Sequence, residues 1–284
     1  MSSATVEGQV VVAWSAAGST GRSTLLAAFA CELAKANQRV LVIDADVHAP
    51  SMIQILGFDQ NYSGLSAAIR MQSHGQLDLP AFEQLLLDFE MPKSRLKLLA
   101  GITMVNRWPE VGFENLRTLI KFACTQFDFV LVDVAASLET SLVDSRLLSE
   151  RNAATLAALS VATHVIAITT ADVIGLNRFI WASENLRDLK LDAQTYVVVN
   201  RFNQEVLGRK AVAEVSEAIA RFAKHETSVF IEEDCSLFTR SLREGVPVAL
   251  VGKNSAAKQA VAQFALGRLL NLPSKSSRRL AKLG

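Results

Sequence analysis

Strand-length apolar runs alternate with helix-period segments along almost all of this 284-residue chain. That alternation predicts an α/β fold: a single domain with a mostly parallel twisted sheet and helices on both faces. The apolar share, 50%, is enough for a sizeable core. Strands are expected near 9–14, 39–44, 96–99, 128–133, 164–170, 194–199 and 228–230. Helices are expected near 22–36, 51–56, 64–71, 80–89, 112–126, 148–159, 175–189, 209–223, 235–243 and 255–270. The domain is expected to run over 9–272, after a short polar and flexible stretch at 1–8. A basic tail over 273–284 carries Lys275, Arg278, Arg279 and Lys282. With only Leu280 and Leu283 as large apolar groups, it reads as a frayed, solvated end rather than a membrane-targeting helix. The least legible part is 60–96, with the loop signals His74-Gly75 and Met91-Pro92; peripheral packing is favoured there over a lid.

Charged residues make up 20%, somewhat under the usual roughly 25%, a small deficit compatible with a buried partner surface. The net charge of +1 argues against a dedicated nucleic-acid binder. Cys31, Cys124 and Cys235 are widely spaced and the four histidines are scattered, so neither a zinc site nor a disulfide framework is indicated. No stretch of about 18 apolar residues occurs and the N-terminus has no signal-peptide character; a cytoplasmic protein is expected.

The chemistry is concentrated at the ends of the expected strands. After Val10-Val11-Val12-Ala13-Trp14 comes Ala16-Ala17-Gly18-Ser19-Thr20-Gly21-Arg22-Ser23-Thr24, then the helical run from Leu25 to Ala34. This is the phosphate-loop pattern G-x-x-x-x-G-K-[ST] with Ala16 at the first glycine and Arg22 at the lysine. Strand, glycine-bearing loop and helix start together make an anion site, because backbone N–H groups and the helix dipole converge there. The plainer alternative is a turn whose glycines only relieve crowding. A second strand ends in Asp44-Ala45-Asp46, and Asp128-Phe129-Val130-Leu131-Val132-Asp133 ends in an acid. Carboxylates at the carboxyl ends of parallel strands suit a hydrated Mg²⁺ and an attacking water. Tyr196-Val197-Val198-Val199 leads into Asn200-Arg201, where an amide has both the donor and the acceptor that a purine edge requires.

In this order the motifs resemble the ParA/MinD group of deviant Walker-A P-loop ATPases. Within that group the chain is most similar to actinobacterial CpaE/TadZ-like proteins of Flp/Tad pilus systems. The resemblance covers roughly residues 9 to 270. It is carried by Ala13-Trp14, Gly21-Arg22-Ser23-Thr24, Val42-Ile43-Asp44-Ala45-Asp46, Arg151-Asn152-Ala153-Ala154-Thr155-Leu156, Ala171-Asp172-Val173-Ile174-Gly175-Leu176-Asn177-Arg178 and Gly245-Val246-Pro247-Val248. It implies a P-loop NTPase fold that binds ATP and Mg²⁺. Gly18, Ser19, Thr20, Gly21, Arg22, Ser23 and Thr24 would surround the triphosphate. Ser23 would ligate Mg²⁺ with Asp44 and Asp133 behind it. Asp46 would polarise water, Asn200 would read adenine and Arg201 would lie near base or ribose. It also implies a homodimer, partners in pilus or secretion machinery, and recruitment to the cell pole or the inner face of the membrane, with any membrane contact weak or indirect.

Two departures bear on activity. Ala17 stands where the group's signature lysine would reach a partner's nucleotide, and Arg22 replaces the loop lysine. Val134-Ala135-Ala136-Ser137 replaces the usual switch segment after the third acid. ATP binding is therefore better supported than hydrolysis, for which Asp46 and Arg22 are the expected catalytic pair. A non-hydrolysing dimeric scaffold stays open as the rival reading. Nonspecific DNA partitioning is a third, which the net charge disfavours.

Overall fold

The computed structural model describes residues 7–59, 62–91, 94–139, 151–252 and 254–272. Its strands are β1 (Gln9–Ser15), β2 (Val40–Ala45), β3 (Leu87–Met91), β4 (Ser94–Leu99), β5 (Phe129–Val134), β6 (His164–Thr170), β7 (Gln194–Phe202) and β8 (Thr227–Glu232). The helices are α1 (Arg22–Lys35), α2 (Met52–Ile55), α3 (Gly64–Ser73), α4 (Leu79–Gln84), α5 (Phe113–Cys124), α6 (Ala153–Ser160), α7 (Val173–Asp188), α8 (Gln204–Leu207), α9 (Ala211–Ala218), α10 (Cys235–Glu244) and α11 (Ala256–Phe264). One sheet takes the strand order β3-β4-β2-β5-β1-β6-β7-β8. Its pairings are parallel except β3–β4.

Strands buried on both faces explain the continuous apolar runs. Along β1, Val10, Val12 and Trp14 face a core shared with α3, α5, α6, α7 and α9. Val11 and Ala13 face a second core built with α1, α2, α10 and α11. There the rings of Phe29 of α1 and Phe264 of α11 meet at a tilt, their centroids 4.9 Å apart. Cys31 and Cys124 are buried among apolar neighbours, while Cys235 is exposed.

The helix expected over 80–89 is corrected by the structure. Asp78 caps α4 by accepting from the Ala81 N–H at 2.9 Å, and the helix ends at Gln84. Leu87-Asp88-Phe89-Glu90-Met91 then alternates with period two and pairs antiparallel with β4. Asp88 and Glu83 both meet Lys97, at 3.1 and 2.8 Å; charge along this outermost strand discourages further strand addition. Segment 62–91 therefore packs against the sheet, with Leu65, Ile69 and Phe82 buried in it.

Smaller differences lie at element ends. β7 runs on to Phe202, so Asn200 and Arg201 belong to the strand itself. Gly8 is held to the body by its N–H donating to the Cys124 carbonyl at 2.9 Å. The basic tail and residues 148–150 of the expected sixth helix lie outside the described residues. No helix among the described residues is long and apolar enough to cross a membrane.

Candidate functional site

The sequence order sends the chain from β1 across β5 to β2, and from β5 back across β1 to β6. The reversal opens a crevice at the carboxyl ends of these strands, where open α/β sheets bind ligands. Loop 16–21 leaves β1 into this crevice and turns tightly, with the Thr20 N–H donating to the Gly18 carbonyl at 3.0 Å. Gly21 ends the loop at φ 84, a left-handed conformation that favours glycine, and a Cβ there would sit 2.6 Å from Asn200 Nδ2. No side chain caps α1 and no acidic residue lies in its first turn. The first N–H groups of α1 and its dipole thus face the crevice uncompensated, which is the electrostatic requirement for an anion.

Asn200 braces the loop from β7. Its Nδ2 donates to the Thr20 carbonyl at 2.7 Å across 180 residues of chain. The Asn200 side chain is buried, and its Oδ1 has no hydrogen-bond partner; neither does Thr20 Oγ1. An orphaned buried acceptor is costly unless a ligand or water completes it. Arg201 beside it is exposed, with φ 53 where the β7–β8 register shifts. Such backbone is uncommon for a side chain this large and is enriched at functional sites. Arg201 lines two adjoining hollows. One of about 450 Å³ follows the loop and the start of α1. The other, about 320 Å³, runs past Asn200 to Asp234 and Phe238. Gly21, Thr24, Arg201 and Leu242 belong to both, so the two form one groove.

Beneath the loop the three expected aspartates converge. Asp44 and Asp133 are register partners on neighbouring strands, and Asp46 follows two residues on. All three are buried. Arg22 bridges two of them: Nε donates to Asp133 at 2.7 Å and Nη2 to Asp46 at 2.5 Å. Ser23 Oγ donates to the other Asp133 oxygen at 2.5 Å. The remaining Asp46 oxygen accepts from the N–H groups of His48 and Ala49, both at 2.9 Å. Asp44 accepts from Ser51 and Met52 N–H at 3.0 Å and, on its other oxygen, from Asp46 N–H at 3.4 Å. Burial opposes the Arg22 charge, but Asp133 and then Asp46 outweigh it and hold the proton more tightly than usual. Burial, then the Asp133 charge, pushes Asp44 up to about 7. Burial also raises Asp133, against the pull of Arg22.

The donor set as arranged does not fit a divalent cation. Both oxygens of each aspartate are engaged by the chain, and a guanidinium lies between two of them. Among the described residues no group of three His, Cys, Asp or Glu side chains is set to hold a metal ion. Ser23, Asp44 and Asp133 are thus brought together, with Arg22 paired to Asp133 and Asp46.

Sequence reasoning assigned no role to several residues that shape this region. Trp14 is fully buried, and its Nε1 donates to the Ala136 carbonyl at 2.9 Å. Asn152 Nδ2 donates to Ser137 Oγ and the Glu139 carbonyl at 2.9 and 3.0 Å. Together they fix the segment after β5. Arg178 of α7 reaches the loop, Nη1 donating to the Ala17 carbonyl at 3.4 Å. The signals were present, because Trp14, Asn152 and Arg178 all lie in the stretches that carry the family resemblance. What they touch depends on packing between distant segments.

Residues 11–248 match the CbiA family, described as the CobQ/CobB/MinD/ParA nucleotide binding domain. The septum site-determining protein MinD of Thermotoga maritima is 23% identical over 256 residues, spanning 88% of this chain and 84% of that protein. A ParA family ATPase from Chlorobium tepidum superposes with a TM-score of 0.74 at 19% identity, covering 91% of this chain and 99% of that one. MinD from Pyrococcus horikoshii, complexed with Mg-ADP, superposes with a TM-score of 0.70 at 19% identity, covering 94% and 99%.

Folded Asp44 keeps its proton well above the 3.8 of an ordinary aspartate. The native state therefore binds more protons than the unfolded chain between those values. Its contribution to stability is complete below the lower value and is lost as pH rises through about 7. Asp44→Asn retains an oxygen to accept from Ser51 and Met52. Urea unfolding at pH 5 and pH 8 should show the variant gaining on the wild type at the higher pH, by on the order of 2 kcal/mol. Equal pH dependence in both proteins contradicts this.

Proposed function

The chain belongs to the CobQ/CobB/MinD/ParA nucleotide-binding family, and we propose that it binds ATP in the groove between the start of α1 and the end of β7, with little or no hydrolysis. We infer further that it acts as a homodimer that positions or regulates a Tad-type pilus or secretion assembly. The observation that carries the nucleotide reading is the uncapped N-terminus of α1, held open beside Asn200 and its orphaned Oδ1. Phosphates would lie over Gly18, Ser19, Thr20, Gly21, Ser23 and Thr24, whose backbone the loop turns toward the groove. Asn200 Oδ1 is an acceptor suited to the exocyclic amine of adenine. Arg201, between the two hollows, is placed for the ribose or the phosphates.

Weak hydrolysis is supported by how the charged groups are used. Ala17 offers no cation, Arg22 is committed to Asp133 and Asp46, and Asp46 has both oxygens engaged. Positioned cations stabilise phosphoryl transfer, and a carboxylate tied to an arginine polarises water poorly. The Tad-type role rests on the resemblance of the quoted stretches to CpaE/TadZ-like proteins. Location in the cytoplasm, with recruitment to a pole or the inner membrane face, accompanies that role. The rival scaffold reading shares the same dimer and differs in output.

Dimerisation is supported by the face around the loop. A hollow of about 590 Å³ runs from Ala17 and Asp46 to Ala136, Ala182 and Asn185. On α7 the apolar side chains of Val173, Ile174 and Trp181 are 83%, 63% and 69% exposed. Exposed apolar groups of this size are concentrated at association surfaces.

Calorimetry should detect ATP binding, and Gly21→Val should abolish it, since a side chain there strains the left-handed backbone and displaces Asn200. Retained affinity in the variant contradicts the assigned groove. Phosphate release by the wild type should fall well below the roughly 1–100 s⁻¹ of working phosphotransferases. Turnover in that range, lost in Asp46→Ala, means that Arg22 and Asp46 suffice for catalysis. Sedimentation equilibrium should give a dimer with and without ATP. A monomer in both states overturns the dimer, and dimerisation only with ATP overturns its independence of nucleotide.

A further inference from the structure

Arg22 occupies the position from which a phosphate loop presents its cation, yet its guanidinium is held by Asp133 and Asp46. Its side chain is 12% exposed. A planar guanidinium meets the two carboxylates through separate N–H groups of a rigid fork. Each oxygen of Asp44, Asp46 and Asp133 accepts at least one hydrogen bond from within the chain. A divalent cation there would have to sit beside the positive charge that Arg22 already supplies between two of the acids.

A phosphate chain lying on the start of α1 still needs a counter-charge. Besides Arg201, which lines the groove, Arg178 of α7 is a cation that reaches the loop from outside. It is exposed, its Nη1 lies at the Ala17 carbonyl, and it forms no ion pair among the described residues. Gly18, at φ 126, leaves room for it: a Cβ there would stand 3.1 Å from that nitrogen.

We propose that this site takes the phosphates of a nucleotide without a divalent cation: Arg22 stands in the metal's place between Asp46 and Asp133, and Arg178 supplies the charge that the phosphates meet. The proposal rests on the nucleotide reading above. It assigns Arg178, at the loop but on a distant helix, as a phosphate-binding residue.

The test is calorimetric titration of the full chain with ATP, once in excess magnesium and once in EDTA. Wild-type affinity should agree within about threefold between the two. Arg178→Ala, a surface change with no buried partner, should weaken binding about tenfold in both, the scale of one charge-assisted hydrogen bond. Arg22→Lys, its fold checked by circular dichroism, loses the fork that spans the two acids and should bind at least about tenfold tighter with magnesium than with EDTA. Wild-type binding that requires magnesium overturns the proposal and leaves the nucleotide reading standing. Unchanged affinity in Arg178→Ala, or an Arg22→Lys protein indifferent to magnesium, also overturns it. No binding in either buffer overturns the nucleotide reading and this proposal together.

Discussion

Three carboxylates converge at the carboxyl ends of β2 and β5, and one guanidinium holds two of them. The arrangement follows from strand register: Asp44 stands opposite Asp133, and Asp46 follows two residues on. Unpaired charge buried this deeply costs several kcal/mol per ion. The chain offsets that cost in two ways. Arg22 contacts Asp133 and Asp46 directly, and Asp44, without such a partner, is pushed up to about 7 and accepts three backbone N–H groups. Those N–H groups include Ser51 and Met52 at the entry to α2, so the same cluster fixes where α2 starts.

The groove above depends on that cluster. With Arg22 drawn under the loop, the start of α1 is left to its own N–H groups. The loop is then kept open from the opposite side by Asn200, whose amide grips the Thr20 carbonyl. Gly21 is the contact point between the two, and its lack of a side chain lets β7 approach this closely. The segment after β5 is fixed by equally long-range bonds, from Trp14 to Ala136 and from Asn152 to Ser137 and Glu139. The loop and the segment after β5 are thus both held by residues far apart in sequence, on a sheet whose strand order brings them together.

The periphery obeys different rules. At one edge the sheet turns antiparallel through β3, a strand of alternating polarity guarded by charge. On α7 large apolar side chains stay exposed beside the loop. The first feature discourages association by strand pairing, and the second favours it by side-chain contact. The two lie on different parts of the molecule.

The sequence by itself determined the α/β class, the parallel central strands and the positions of the loop and its three acids. Buried strands need continuous apolar runs, and a helix start after a glycine-bearing turn has few alternatives. It misread 80–89 as helix, because Leu87 to Met91 is too short for its period to stand out without the β4 partner. It placed Arg22, Asp46, Asp133 and Asn200 in one site without revealing what each would touch. Only the tertiary structure decided that Arg22 faces the acids, that Asn200 spends one amide hydrogen on the loop, and that Arg178 arrives from α7. Direction of a long side chain is set by the balance of burial and charge around it, and that balance exists only after distant strands have packed.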